Sequence, residues 1–184
     1  MKKTILAVVG LCGSGKTEAI KFFTEKGYKN IYFGSATFDE MEKKGLEINE
    51  KNERATREEI RNQYGMGAYA ILALPKIKEV LETDNFVLLE SLYSWDEYKI
   101  IKNEFGENFK VLAVYSSPEA RYGRLTNRRE RPYSREDAQS RDYSQIENLA
   151  QAGPIAMADF TVVNTKDVNY LRSQLDEVIN NLSN

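Results

Sequence analysis

Eight consecutive residues, Gly10-Leu11-Cys12-Gly13-Ser14-Gly15-Lys16-Thr17, fit the pattern G-x-x-x-x-G-K-[ST]. The three glycines let the backbone wrap closely around phosphate oxygens, where a Cβ would obstruct it. The amides of such a loop point inward, and the N-terminus of the following helix adds a partial positive charge facing the anion. On this reading Gly10, Cys12, Gly13, Ser14, Gly15, Lys16 and Thr17 hold the phosphates of a nucleoside triphosphate. Lys16 reaches the β- and γ-phosphates, and the Thr17 hydroxyl ligates Mg²⁺.

Two further groups carry chemistry. Phe86-Val87-Leu88-Leu89-Glu90 is an apolar run ending in a carboxylate, the form of a Walker B element, which makes Glu90 a second candidate Mg²⁺ ligand. Arg121, Arg124, Arg128, Arg129, Arg131, Arg135 and Arg141 then place seven arginines within 21 residues. Glu119, Glu130, Glu136 and Asp137 offer partners for a merely solvated helix face. However, all seven are arginine rather than lysine, and Arg131-Pro132-Tyr133-Ser134 interrupts any helix. Arginine's planar fork clamps phosphate oxygens bidentately, so the stretch reads as a lid over the nucleotide, residues 125–145.

These residues need elements to position them. The apolar run 4–9 before the glycines reads as a buried parallel strand, and the residues after Thr17 start a helix. Further strands are expected at 28–33, 86–90, 110–115 and 158–164. Helices are expected near 37, at 95–105, from Ser117-Pro118, and at 167–182. Within 36–83 the pattern is helical and charged. Thr56-Arg57-Glu58-Glu59 fits a capping box that opens a helix, and Gly65-Met66-Gly67 breaks it. That segment is longer than a plain crossover needs, which suggests a substrate-binding lobe. Alternating strands and helices imply a parallel sheet covered on both faces, with ligands beyond the carboxyl ends of the strands, near Lys16, Ser35 and Glu90.

Composition bounds the rest. The 184 residues suffice for one α/β domain, 1–184, and the net charge of −2 argues against an extended nucleic-acid surface. With one cysteine and no histidine, an intrachain disulfide and cysteine- or histidine-ligated metals are excluded, and acid/base work falls to carboxylates. Met1-Lys2-Lys3 and the apolar run after them imitate a signal peptide, but the run passes straight into the glycine loop without a cleavage site. No apolar run is long enough for a transmembrane span, so a cytoplasmic location is expected.

The chain resembles the small P-loop kinases of the nucleoside monophosphate kinase type, most closely the branch related to dephospho-CoA kinase and adenylate kinase. The resemblance covers nearly the whole chain. It rests on Gly10 to Thr17, Gly34-Ser35, the run from Arg57 to Met66, Ser117-Pro118-Glu119-Ala120-Arg121, Arg124-Leu125 with Arg128, and Ala158 to Asn164. It implies a P-loop NTPase three-layer sandwich, a five-stranded parallel sheet in the order 2-3-1-4-5, a helical acceptor-binding lobe at 36–83 and an arginine-rich lid. It also implies transfer of the ATP γ-phosphate, with Mg²⁺, to a small phosphorylated acceptor, either a nucleoside monophosphate or a dephospho-CoA-like molecule. Lys16, Glu90 and Arg128 would be the catalytic residues. Arg121, Arg124, Arg128 and the loop with Asn164 would serve the lid and adenine. Ser35, Asp39, Arg57 and Arg61 would serve the acceptor.

There are departures from the pattern. Relatives usually carry an aspartate where this chain has Ser35, an arginine near the position of Phe38, and Asp-Gly-x-x-Arg where it reads Glu90-Ser91-Leu92-Tyr93. They motivate an alternative, an ATP-binding sensor or partner protein without transfer activity. The acceptor's identity and the oligomeric state are not encoded in any motif.

Overall fold

The computed structural model describes residues 3–183; Met1 and Lys2, part of the charged start noted above, and Asn184 lie outside the described residues. Five strands build one parallel sheet: β1 (Thr4–Val9), β2 (Lys29–Tyr32), β3 (Phe86–Glu90), β4 (Phe109–Tyr115) and β5 (Phe160–Val163). Their order is β2-β3-β1-β4-β5. This is the order that the resemblance implies, and every pair is parallel. β1 lies at the centre, with Val8 opposite Glu90 of β3 and Leu112 of β4. Its apolar residues from Ile5 to Val9 are at most 1% exposed, because helices cover both faces of a parallel sheet.

Alternation along β1 divides the core. Leu6 and Val8 pack with Ala19, Phe22 and Phe23 of α1 (Lys16–Glu25) and with Leu171, Leu175 and Val178 of α9 (Val168–Ser183). Ile5, Ala7 and Val9 face the other way, toward Ala73 and Ile77 of α4 (Ala68–Thr83) and Tyr98 and Ile101 of α5 (Trp95–Phe105). Phe33 and Ile60 join that second layer and connect the lobe to the sheet.

The lobe comprises α2 (Ser35–Lys43), α3 (Glu50–Tyr64) and α4. Here the expected start of α3 is corrected. Its cap is Asn49, whose side chain accepts from the Asn52 amide at 2.9 Å, and Thr56 lies inside the helix, 1% exposed. Threonine in a capping-box pattern became a core residue because the hydrogen-bonding cap was available seven residues earlier. The break after Tyr64 is at Gly65, which has φ 77°. Ser117 and Pro118 do open α6 (Pro118–Asn127), with the serine accepting from the Ala120 amide. Residues 128–134 form a loop, followed by α7 (Arg135–Glu147) and a short α8 (Ala152–Ala156). Among the described residues no helix is long and apolar enough to cross a membrane.

Leu88 is fully buried in the first layer. Leu88→Ala removes apolar contacts on a strand that cannot collapse inward, so it should cost about 2–5 kcal/mol of stability. A shift of the urea midpoint without a change in slope checks this.

Candidate functional site

The glycine loop joins β1 to α1 in a conformation that L-residues with side chains resist. Gly10, Gly13 and Gly15 have φ of 145°, 80° and 109°. A Cβ on Gly15 would lie 2.3 Å from Asn164 Nδ2, and one on Gly10 would lie 2.5 Å from the Val114 carbonyl. Both conformation and close approach therefore require glycine.

The carbonyls of Gly10, Cys12, Gly13 and Ser14 meet donors from other elements, and that of Leu11 is met within the loop. Gly10 O accepts from Lys16 Nζ at 2.6 Å and from Gln151 Nε2 at 3.0 Å. Leu11 O accepts from the Ser14 amide and from Lys16 Nζ. Cys12 O accepts from Arg121, Gly13 O from Arg124 and Ser14 O from Asn164 Nδ2. Donors from other elements on the Gly10, Cys12, Gly13 and Ser14 carbonyls orient those peptides as an anion-binding nest requires, while the Ser14 amide is taken by Leu11 O.

Burial holds the Lys16 ammonium down at about 8. The Cys12 thiol and Glu90 oppose this, while the charges of Arg141 and Arg121 add to it. Thr17 is exposed at the first turn of α1. Glu90 ends β3 beside Val8, and its carboxylate accepts from Asn30 Nδ2 at 2.6 Å. A hydroxyl and one carboxylate are oxygen donors of the kind Mg²⁺ takes. Among the described residues no group of three or more acidic, cysteine or histidine side chains is placed to hold a metal. That donor set fits an ion that keeps several waters and relies on substrate phosphates.

The arginines divide into separate groups. Arg121, expected near the lid, is 3% exposed and forms a bidentate pair with Asp142 of α7, both contacts at 2.7 Å. Its Nε donates to Ser116 O, and Tyr122 OH donates to the same aspartate. Its fork is therefore filled by protein acceptors. Arg124 binds Gly13 O, Ser116 Oγ and the Asn164 carbonyl. The Asn164 carbonyl, expected beside adenine, is occupied by Arg124 and by Ser116 Oγ. Arg135 pairs with Glu119 on the surface.

Arg128, Arg131 and Arg141 instead line a cleft of about 870 Å³ between loop 128–134, α7, the lobe and the ends of β2 and β3. Arg57 and Arg61 of α3 line the same cleft, as do Tyr32, Tyr69, Tyr93 and Tyr133. The structure thus brings the lobe arginines together with Arg128. It does not bring Ser35 and Asp39 there: they line a smaller cavity of about 250 Å³ within the lobe, and Asp39 pairs with Lys76 at 2.8 Å. The first turn of α2 carries them away from the cleft wall.

Several residues of this region escape sequence reading. Glu97 of α5 lines the cleft and is 3% exposed; its Oε2 accepts from the Tyr93 and Ser94 amides at 2.7 and 2.8 Å. Burial pushes its carboxyl up to about 7, against those amides and the charge of Arg61. Ser94-x-x-Glu97 is a capping box directly after β3, a signal that was available. Arg141 was visible only as one arginine among seven. Nothing in the sequence marks Gln151, which is fully buried against Gly10.

A central P-loop strand, order 2-3-1-4-5, and a cleft beyond the strand ends define the fold of the P-loop kinases. Solved structures agree. Shikimate kinase from Bacteroides thetaiotaomicron superposes with TM-score 0.60 at 15% identity, covering 98% of this chain and 99% of that one. Dephospho-CoA kinase from Campylobacter jejuni gives 0.57 at 18% identity, covering 98% and 96%. By sequence, the UPF0200 protein of Thermococcus onnurineus is 32% identical over 163 residues, 87% of this chain and 88% of the relative. The chain belongs to the UPF0200 family. No protein-family model matches it.

Asp142→Ala would leave Arg121 buried and uncompensated behind the loop, a loss of about 3–5 kcal/mol. Denaturant unfolding of the variant measures that loss directly.

Proposed function

We propose that this protein is an ATP-dependent phosphotransferase that moves the γ-phosphoryl of Mg-ATP to a small phosphorylated acceptor, a nucleoside monophosphate or a dephospho-CoA-like molecule. The observation that carries the reading is the pairing of two sites. A glycine loop whose Gly10, Cys12, Gly13 and Ser14 carbonyls are held by other elements is joined by a separate cleft walled by Arg57, Arg61, Arg128 and Arg141. The charge of Arg141 is felt at Lys16. Phosphoryl transfer asks mainly for positioning and charge neutralisation, and this arrangement supplies both.

In this mechanism the nest amides and Lys16 hold the β- and γ-phosphates, and Lys16 exchanges its Gly10 and Leu11 carbonyls for phosphate oxygens. Arg128 and Arg141 neutralise the transferring group from the lid side. Arg57 and Arg61 hold the acceptor's anionic end. Thr17 and Glu90 hold Mg²⁺, which when bound neutralises charge on the β- and γ-phosphates. The reacting oxygen of a phosphate acceptor is already deprotonated near neutral pH, so no dedicated base is required for that class.

A second reading, an ATP-binding sensor without transfer, draws on Arg57. That residue already pairs with Glu53 at 3.2 Å and Glu50 at 3.4 Å, so an acceptor must displace its own protein's carboxylates. The absence of the relatives' arginine at Phe38 points the same way.

Coupled ADP release from Mg-ATP, with dephospho-CoA, the common nucleoside monophosphates and a no-acceptor control, decides between them. Stimulation by one acceptor, abolished in Lys16→Ala, is expected. Release indifferent to every acceptor, with intact ATP binding by calorimetry, would favour the sensor.

A pH dependence follows from Lys16. Its ammonium is charged below about 8 in the free protein and is lost as pH rises through that value. Bound phosphate favours the charged form and raises the pKa. ATP affinity should therefore be flat below that pH and fall by up to about tenfold per unit above it. Proton uptake on binding at pH 8, read by calorimetry in buffers of different ionisation enthalpy, tests this independently of turnover.

A further inference from the structure

Among the described residues six of the eleven arginines have a carboxylate partner: Arg54 with Glu58, Arg57 with Glu53, Arg121 with Asp142, Arg131 with Glu50, Arg135 with Glu119 and Arg172 with Glu25. Arg128 and Arg141 differ. Neither has a carboxylate within ion-pair distance among the described residues, yet both are gathered against one aromatic ring. The Arg128 guanidinium lies 4.5 Å from the Tyr133 ring centroid and that of Arg141 lies 5.7 Å from it. Arg141 also donates to Tyr133 Oη at 3.0 Å, and Arg128 Nε donates to the Arg131 carbonyl.

The ring itself is anchored. The Tyr133 amide donates to Leu125 O, and the side chain packs against the cluster of Tyr122, Leu125 and Ala138, which also takes Cys12 of the glycine loop. Two like charges held near one ring without a counter-charge repel each other, and an anion placed between them relieves that repulsion. Tyr133 and Cys12 of the glycine loop pack against the same cluster, and the charge of Arg141 is felt at Lys16.

We propose that Tyr133 is a positioning residue that presents Arg128 and Arg141 as a paired clamp for a phosphoryl group held in the glycine loop. Its electron-rich face attracts both guanidiniums, and its hydroxyl sets the direction of Arg141. The anion's identity as a transferring phosphoryl rests on the phosphotransfer reading; the clamp does not.

The test uses inorganic triphosphate, an anion with no base and no acceptor, so that failure of turnover and failure of the clamp are separable. Calorimetry should give about tenfold weaker triphosphate binding for Tyr133→Leu and a loss within about threefold for Tyr133→Phe, which keeps the ring face. In an Arg128→Ala/Arg141→Ala background, Tyr133→Leu should add nothing, because its effect passes through those side chains. Side-chain NMR of the arginines gives a direct readout. Ring-current-shifted signals of both arginines should be present in the parent protein and lost in Tyr133→Leu, while in Tyr133→Phe only Arg141 should move. If an acceptor is found, KM for ATP should rise by about the same tenfold in Tyr133→Leu, with a further fall in kcat of about tenfold. Equal weakening by Tyr133→Leu with or without the two arginines would overturn the proposal, as would arginine signals that do not sense the ring. Triphosphate results as expected, with no acceptor turnover, would support the clamp and reject the phosphotransfer reading.

Discussion

The structure depends on satisfying five consecutive carbonyls of the glycine loop. A loop that offers its amides to an anion must point the opposite ends of the same peptides into the protein, where each needs a donor. Gln151, Arg121, Arg124, Asn164 and Lys16 meet that need from four separate parts of the chain. The fold can be read as the means of delivering them. β4 and α6 bring the two arginines, the exit of β5 brings the asparagine, and the turn before α8 brings the glutamine. Asp142 then neutralises Arg121, which couples α7 to the loop through a pair that water does not reach.

This requirement explains how the arginine-rich stretch divides. Helical spacing sends Arg121 and Arg124 to the inner side of α6, behind the loop, where the carbonyls wait. Arg128 follows the helix end and escapes into the cleft, and Arg141 reaches it from α7. Read along the chain, all seven residues are equivalent planar cations. Their roles separate only when the buried acceptor Asp142 and the ring of Tyr133 are placed, and neither position is set by local pattern.

The same reasoning accounts for what was legible in the sequence. The strands could be anticipated because apolar runs such as 4–9 and 86–90 read as buried strands and the glycine loop carries its own geometry, while their order came from the resemblance to the P-loop kinases. The start of α3 was misread because Thr56 satisfies a local capping rule that tertiary packing overrides. The resemblance assigned Ser35 and Asp39 to the acceptor, whereas both line the lobe's inner cavity, a placement set by how α2 packs on α3 and α4. Glu97 was missed although its capping box was present, since the burial that pushes its carboxyl up to about 7 is a property of the cleft and not of the motif. Gln151 had no signal at all.

The departures from the kinase-like pattern also gain physical content. Ser91, where relatives often carry glycine, keeps a left-handed φ of 69°, so the backbone turn after β3 survives the loss of the residue that favours it. Its hydroxyl donates to Tyr93 Oη at 3.1 Å, a contact that glycine cannot make. That bond joins two residues of the cleft wall. In the lobe, Arg57 rests on Glu50 and Glu53, and Arg131 of loop 128–134 reaches the same Glu50 at 3.9 Å. These pairs are mostly exposed and individually weak, so an anion of higher charge density can displace them.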